Sequence, residues 1–329
     1  MRIPLALALA LVSSVARAED FGSAGPHGVG LHRAQTEVAD LDPGKEARVL
    51  DLVVWYPAAT GGPVGEPTVD ADVARGRFPL IVFSHGLCGD PEQSSLYTSG
   101  LAAFGFVVVS STHPGSVGPN DCFGDGVLDS FNHRVIEVQA AADWALGQDR
   151  DPDSFLYRRL NRRQLGVTGQ SYGGQTTLRT LAADPRFRAG VALQPAPMSG
   201  ITIEQPLLVI GAERDSIVPF ETASRPSFEL GTGPRILVEI LRSGHCAVTD
   251  FCCDACLPDS LPPAESSRLG VRYAVPFFRA YLQGDRTALA DLLSASDTDE
   301  AARIDEADVP RAALRRLAGG AKAGLLPRR

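Results

Sequence analysis

Residues 165–176 read Leu-Gly-Val-Thr-Gly-Gln-Ser-Tyr-Gly-Gly-Gln-Thr, and this stretch decides the fold. Its first four residues have the short apolar character of a buried strand, and the spacing over Tyr172–Ala183 predicts a helix. Between them, Gly169–Gly173 form a G-x-S-x-G sequence in a strand–turn–helix context. Glycines at both ends of the turn leave room that side chains would occupy. The sequence therefore predicts that Ser171 projects above the edge of a sheet, at the start of a helix.

Further apolar runs alternate with helical patterns along the chain. Strands are predicted at Leu50–Trp55, Phe78–Ser84, Phe106–Ser111, Leu165–Thr168, Ala189–Leu193, Leu207–Ile210 and Ile236–Leu241. Helices are predicted at Gln93–Phe104, Val135–Leu146, Tyr172–Ala183 and Val271–Leu282. The strands are continuously apolar, which is typical of a mostly parallel sheet with helices on both faces. The predicted fold class is α/β, and residues that directly follow the strands are candidates for a functional site.

Two later strands are each followed by a residue suited to activate a serine. His245 is the only histidine after Ser171, which makes it the candidate base, because a serine hydroxyl needs an adjacent base at neutral pH. Asp215 is the candidate acid, which would hold the imidazole tautomer. Glu213 and Asp250 stay open as alternatives to Asp215. The order serine, acid, histidine is that of α/β-hydrolases.

The predicted strand Phe78–Ser84 runs into a second loop at the same edge of the sheet. In folds of this type, one oxyanion donor comes from this loop and the other from the residue after the nucleophile. We therefore assign the backbone N–H groups of Leu87 and Tyr172 as the oxyanion donors. His85 is predicted to brace this loop, and His113 is assigned a structural role.

The N-terminus has the pattern of a signal peptide. Met1–Ala18 contains an early arginine, the apolar run Ile3–Val12 and a terminal A-x-A sequence. The run is too short for a permanent membrane span, although an uncleaved anchor stays open. The expected location is the periplasm or outside of a bacterial cell. We assign residues 19–285 to a hydrolase domain and residues 286–329 to a C-terminal tail that is partly helical or disordered.

The composition is that of a globular protein with an acidic surface. Hydrophobic residues make up 44% of the chain and charged residues 21%. Residues 1–18 carry two arginines and no acid, so their removal takes the formal net charge from −8 to −10. Such a surface repels phosphate backbones and anionic membranes. Neither nucleic acid nor a stable membrane anchor is therefore expected.

An even number of cysteines in an exported chain indicates disulfides. The six are Cys88, Cys122, Cys246, Cys252, Cys253 and Cys256. We predict a bond between Cys88 and Cys122 and two bonds within 246–256, which would pin the loop of the candidate base. A zinc site is the alternative, but only one C-x2-C pair is present and zinc sites of this kind need a second.

Three quoted segments resemble known hydrolases. Phe78–Leu87 (Phe-Pro-Leu-Ile-Val-Phe-Ser-His-Gly-Leu), Gly169–Thr176 and Asp184–Leu193 resemble plasma-type platelet-activating factor acetylhydrolases and bacterial dienelactone hydrolase-like proteins. Ile210–Asp215 is similar to the acid loop of cutinase-like polyester hydrolases. The resemblance covers about residues 45–285. It implies an α/β-hydrolase fold, the three residues named above as a catalytic triad, and hydrolysis of carboxylic esters without a metal or cofactor. The partner that it implies is a small-molecule or lipid-like ester substrate.

The sequence also departs from these families. Gln170 stands where a histidine is usual, and we expect this change to leave the serine unaffected. True dienelactone hydrolases use a cysteine nucleophile, so Ser171 argues against that reaction. Short-chain or acetyl esters are the expected substrates, since no long apolar lid is evident. A peptidase or amidase with the same triad, and a non-catalytic binding protein on this scaffold, are the alternatives.

Overall fold

The computed structural model describes residues 24–118, 125–250, 260–295 and 300–309. The predicted signal peptide Met1–Ala18 lies outside these ranges, as do four of the six cysteines, Cys122, Cys252, Cys253 and Cys256. Within the described residues, no helix combines the length and apolar character needed to cross a bilayer.

The described residues form one mixed sheet flanked by helices. Its strands are β1 (Gly28–Val38), β2 (Arg48–Ala58), β3 (Thr68–Val69), β4 (Phe78–Ser84), β5 (Val107–Ser111), β6 (Leu160–Gln170), β7 (Phe187–Leu193), β8 (Leu207–Ala212), β9 (Arg235–Ile240) and β10 (Ala302–Asp308). The helices are α1 (Ser95–Ala103), α2 (Asp125–Gln148), α3 (Tyr172–Ala183), α4 (Arg225–Glu229), α5 (Pro263–Phe278) and α6 (Arg286–Ala295). Short π-helical turns at Phe220–Ser224 and Arg279–Gln283 precede α4 and follow α5.

The strand order is β10-β9-β8-β7-β6-β4-β5-β2-β1-β3. Strands β4 to β9 pair in parallel. β2 and β10 pair antiparallel at the two borders of this parallel block. The carboxyl ends of β4, β6, β8 and β9 therefore meet at one edge of the sheet. The predicted α/β class, with a mostly parallel sheet, is confirmed.

The parallel strands β4 to β9 are buried on both faces over most of their length, as their continuous apolar runs predict. All seven residues of β4 are buried. Ile81 and Phe83 belong to a core cluster that also contains residues of α1, α5 and α6. Leu80 and Val82 belong to a second cluster, formed with residues of α2 and α3. Because successive side chains of a strand point to opposite faces, a strand covered on both sides must be apolar throughout.

Some elements at the sheet edges were not predicted. β10 reads Ala-Arg-Ile-Asp-Glu-Ala-Asp and is mostly exposed, so it has no apolar run that could reveal it. It pairs antiparallel with β9, and its neighbour α6 contributes the buried Leu289 and Leu292 to the core cluster of α1 and α5. The elements α6 and β10 are thus in contact with the rest of the domain. The division of the chain at residue 285 stays a prediction.

The packing of α6 against the core is tested by truncating one of its buried side chains. Leu292→Ala removes a side chain with 0% exposure and should lower the free energy of unfolding by about 2–5 kcal/mol, because a cavity remains. Leu41→Ala is the matched control, since Leu41 is 51% exposed and its truncation should change stability by less than about 0.5 kcal/mol. Urea unfolding followed by circular dichroism measures both. Equal stabilities for the two variants would show that α6 does not pack as described.

Candidate active site

Ser171 occupies the single-residue turn between β6 and α3. Its φ of 56° and ψ of −115° lie in a region that residues other than glycine rarely adopt. A Cβ atom at Gly173 would overlap the Ser84 carbonyl oxygen, and one at Gly169 would overlap the Gly173 carbonyl. Only glycine permits this close approach of backbone segments. The strained turn thus presents the Ser171 hydroxyl at the start of α3, where the helix dipole favours negative charge.

The structure brings Ser171, His245 and Asp215 together. His245 Nε2 lies 2.8 Å from Ser171 Oγ, and His245 Nδ1 lies 2.8 Å from Asp215 Oδ2. The other carboxylate oxygen, Oδ1, accepts the N–H groups of Ile217 and Val218 at 2.9 and 2.8 Å. A carboxylate held in this way accepts the Nδ1 proton, so Nε2 is left to accept the serine proton. The arrangement can transfer a proton from Ser171 to His245.

The two alternative acids have other partners. Glu213 accepts the backbone N–H of Arg242 at 2.7 Å. Asp250 accepts two backbone N–H groups at the start of α1, at 2.7 and 3.0 Å. It thereby caps a helix from a distant part of the chain and ties the loop that follows His245 to α1. Neither carboxylate contacts His245, so the geometry favours Asp215 as the acid.

The loop after β4 lies directly against the nucleophile. A Cβ atom at Gly86 would be 2.7 Å from Gln170 Oε1 and 3.5 Å from Ser171 Cβ. Within the described part of the chain, the N–H groups of Leu87 and Tyr172 donate to no acceptor. The Tyr172 N–H opens α3, where helix geometry leaves donors free. Both groups are thus available to an oxyanion, and that role stays a prediction.

Arg134, on α2, is a buried cation beneath this loop. It is 0% exposed and donates to the carbonyl oxygens of His85 and Gly86, at 2.6 and 3.2 Å, and to Ser116 Oγ at 2.6 Å. Its guanidinium carbon lies 4.6 Å from the centre of the Tyr172 ring. Burial lowers the pKa of Arg134 to about 9, so the group is charged at neutral pH. Arg134 thereby contacts both segments that carry the predicted oxyanion donors.

The sequence contains a signal for Arg134 that the prediction missed. Arg134 falls on the buried stripe of α2 that continues through Val138, Ala141 and Ala145. A charged residue in the apolar stripe of a helix is almost never buried without partners. Its position therefore indicates a buried ion pair or a hydrogen-bonded cation.

A second buried network continues from Ser84 into the interior. Ser84 Oγ lies 2.8 Å from His113 Nε2, and His113 Nδ1 lies 2.7 Å from Glu137 Oε2. Arg48 Nε donates to the other carboxylate oxygen of Glu137 at 2.8 Å. Burial raises the pKa of Glu137 to about 7, although Arg48 opposes this shift. His113, for which a structural role was predicted, is 0% exposed and contacts interior groups.

His85 braces the loop after β4. Its Nδ1–H donates to the Gly86 carbonyl at 2.7 Å, and its ring centre lies 4.7 Å from that of His113. Its Nε2 is buried without a hydrogen-bond partner in the described structure. Burial, with smaller contributions from His113 and Arg134, lowers the pKa of His85 well below 6.5. A proton at Nε2 would have no acceptor, so the ring is neutral.

Two disulfide-bonded cysteines adjoin the site. Cys88 directly follows Leu87, Cys246 directly follows His245, and both are disulfide-bonded. The other four cysteines lie outside the described residues, so the predicted pairing stays a prediction. The bonds connect to the two loops that carry the base and one predicted oxyanion donor.

The parallel sheet, the strained serine turn and the serine–acid–histidine order define the protein as an α/β-hydrolase. More specifically, the chain belongs to the PET hydrolase-like family, whose model matches residues 59–253, more than half of the sequence. The resemblance stated from the sequence is thus confirmed.

Similarity to individual curated proteins supports this family assignment. The chain is 29% identical over 153 residues to a cutinase of Thermobifida alba, covering 46% of this chain and 47% of that protein. It is 30% identical over 187 residues to a bis(hydroxyethyl) terephthalate hydrolase of Streptomyces coelicolor, covering 55% and 54%. It is 29% identical over 176 residues to a platelet-activating factor acetylhydrolase of Cavia porcellus, covering 42% and 40%. The chain spans about half the length of the curated relatives it matches.

The buried His85 ring predicts a pH dependence of stability. Because its pKa is lowered in the folded state, the unfolded chain binds the extra proton once the pH falls below 6.5. His85 therefore destabilises the fold increasingly as the pH falls from 6.5 towards 5. Its contribution approaches about 1.4 kcal/mol per pH unit.

His85→Gln should remove this contribution, and urea unfolding from pH 7.5 to 5 measures it. The wild type should lose more stability over this interval than the variant does. His113 and Glu137 are present in both proteins, so the difference between the two pH profiles reports His85 together with its coupling to His113. Parallel pH profiles for the two proteins would contradict the buried neutral ring.

Proposed function

We propose that this protein is a serine hydrolase that cleaves carboxylic esters through an acyl-enzyme. The observation that carries the proposal is the unbroken hydrogen-bonded series Ser171–His245–Asp215. The N–H groups of Tyr172, the next residue in the chain, and of Leu87 have no acceptor in the described structure. These are the groups that acyl transfer requires: a nucleophile, its base, an orienting acid and oxyanion donors.

In the first half-reaction, His245 Nε2 takes the proton of Ser171 as Oγ attacks the ester carbonyl carbon. The carbonyl oxygen becomes an oxyanion that accepts the N–H groups of Leu87 and Tyr172. Asp215 stabilises the imidazolium through Nδ1–H and stays ionised. When the tetrahedral intermediate collapses, the bond to the alcohol oxygen breaks, and His245 gives its proton to the leaving alcohol.

In the second half-reaction, His245 takes a proton from water, which attacks the acyl carbon of the Ser171 ester. Collapse of the second tetrahedral intermediate releases the carboxylic acid and returns the proton to Ser171. The same base and the same two N–H groups serve both steps. All steps need only groups of this chain and water.

Short-chain or otherwise small esters are the proposed substrates. The relatives are named as a cutinase, a terephthalate ester hydrolase and an acetylhydrolase, which are all ester hydrolases. A shallow, open depression of about 370 Å³ borders the first turn of α3, and none of the three triad residues lines it. Its walls are Phe131, Gln175, Pro197, Met198 and Ser199. The volume is at the lower end for ligand pockets, and the ring of Phe131 and the thioether of Met198 give the depression apolar surface, which favours a small acyl or aryl group over a long chain.

We further propose that the protein is exported. The A-x-A sequence at Ala16–Ala18 supports cleavage after residue 18. The disulfide-bonded state of Cys88 and Cys246 also supports it, because disulfides persist in oxidising compartments.

The proposed reaction is tested by measuring hydrolysis of p-nitrophenyl esters from acetate to palmitate. The wild type and Ser171→Ala are assayed side by side. Wild-type turnover should be highest at acetate or butyrate. Ser171→Ala should lower kcat by at least about 10³-fold, because the acyl-enzyme cannot form. A fluorophosphonate probe should label the wild type at Ser171 and should not label the variant.

Circular dichroism controls for folding of the variant. Undiminished ester turnover by folded Ser171→Ala would refute the mechanism. Labelling without ester turnover would point to the amidase alternative, and absence of both would point to a binding protein.

The assignment of the acid is tested by a matched pair of amide substitutions. Asp215→Asn should lower kcat by about 10²–10⁴-fold, because an amide does not stabilise the imidazolium and can reverse the histidine tautomer. Glu213→Gln removes the same charge two residues away and should leave kcat within about threefold, since Glu213 contacts the Arg242 N–H instead. Steady-state kinetics on p-nitrophenyl acetate compares them. A larger loss in Glu213→Gln would reassign the acid.

A further inference from the structure

Two buried glutamines connect the oxyanion loop to the main chain of the base. Gln170 precedes the nucleophile and Gln93 precedes α1, and each is 4% exposed. Gln93 Oε1 accepts the Gly86 N–H at 3.2 Å, and Gln93 Nε2 donates to Gln170 Oε1 at 3.2 Å. Gln170 Nε2 then donates to the His245 carbonyl at 2.9 Å. Three hydrogen bonds thus run in series from Gly86 to His245.

The ends of this series fix the orientation of both amides. One end is a backbone N–H, which can only donate, and the other is a carbonyl, which can only accept. A reversed Gln93 amide would place its NH₂ group against the Gly86 N–H. A reversed Gln170 amide would place its oxygen against the His245 carbonyl oxygen. Only one arrangement satisfies all three bonds, so each glutamine depends on the other for its orientation.

Both ends of the series belong to segments with assigned roles. Gly86 precedes Leu87, the predicted oxyanion donor of the loop after β4, and His245 is the base. The Gln93 backbone carbonyl also accepts the Asp250 N–H at 2.9 Å, so Gln93 contacts the segment that follows His245 as well. The two side chains lie between the two loops that must keep a fixed distance while charge develops on the substrate.

We propose that Gln93 and Gln170 are positioning residues that act as one unit, an amide relay that sets the oxyanion loop and the His245 loop relative to each other. The inference rests on the proposed ester hydrolysis at Ser171. Neither side chain contacts a reacting atom, so the relay acts through the Gly86 N–H and the His245 carbonyl. If the two glutamines act as a single unit, substitution of either one breaks the hydrogen-bonded series and lowers kcat as much as substitution of both.

A double-mutant cycle of Gln93→Leu, Gln170→Leu and the double variant tests the relay on p-nitrophenyl acetate. Each single substitution should lower kcat roughly 10- to 100-fold with KM changed less than about threefold, because geometry in the transition state is lost while substrate contacts remain. The double variant should be no slower than the slower single variant. If the fold-losses in kcat of the two single variants instead multiply in the double variant, the two glutamines act independently and the relay is overturned.

Two controls separate positioning from general damage. Gln205→Leu removes a glutamine that donates to the Leu181 carbonyl away from the site, and it should leave kcat unchanged. Gln170→Glu keeps the shape of residue 170 but loses the donor to His245, so it should match Gln170→Leu in kcat even if the leucine variants melt at a lower temperature. A Gln170→Glu enzyme with wild-type kcat would also overturn the relay.

The rate of Ser171 labelling by a fluorophosphonate gives a second readout that needs no ester turnover. It should fall in both single variants and fall no further in the double variant. A wild-type protein that is neither labelled nor active would overturn the proposed function and the relay together. An active wild type whose single and double variants are labelled at the wild-type rate would overturn the relay alone.

Discussion

The close approach of the serine turn to the end of β4 is the constraint on which the site depends. No side chain fits at Gly173, because it would overlap the Ser84 carbonyl oxygen. This contact places the start of α3, which begins with Tyr172, against the end of β4 and the start of the loop that follows it. The positive φ of Ser171 is maintained because the parallel pairing of β6 with β4 and β7 fixes the chain up to Gln170. The strain is thus localised at the residue that reacts.

Burial distinguishes the candidate site from a second serine–histidine–acid series in the same protein. Ser84, His113 and Glu137 repeat the hydrogen-bond pattern of the triad with distances of 2.8 and 2.7 Å. All three are 0% exposed, and Arg134 also donates towards Ser84 Oγ at 3.3 Å. No substrate can reach this buried serine, and the Arg134 guanidinium donates a hydrogen bond to its hydroxyl oxygen. Geometry alone would identify two triads, whereas accessibility and the strained turn select Ser171.

The sequence predicted features that depend on local pattern or chain order. The strands of the parallel block appear as apolar runs because both faces are covered, and Ser171, Asp215 and His245 follow the ends of such strands. β10 could not be predicted, since an exposed edge strand needs no apolar residues. The contacts of Gln170 could not be predicted either. The expectation that this residue leaves the serine unaffected stays a prediction, and its hydrogen bond to the His245 carbonyl, 75 residues along the chain, has no counterpart in the sequence pattern. Contacts of this kind leave no periodic signal.

The buried Arg134 explains how the loop after β4 could favour an oxyanion. The Gly86 carbonyl and the Leu87 N–H belong to one peptide unit, and its carbonyl accepts hydrogen bonds from Arg134 and His85. A cation at the oxygen end polarises the peptide, so its N–H becomes a stronger donor. In the proposed reaction this N–H faces the developing negative charge, and the peptide dipole then lies between a buried cation and a transient anion. Because Arg134 and His85 hold the Gly86 carbonyl through interior contacts before substrate arrives, little reorganisation of this peptide is needed as the charge forms.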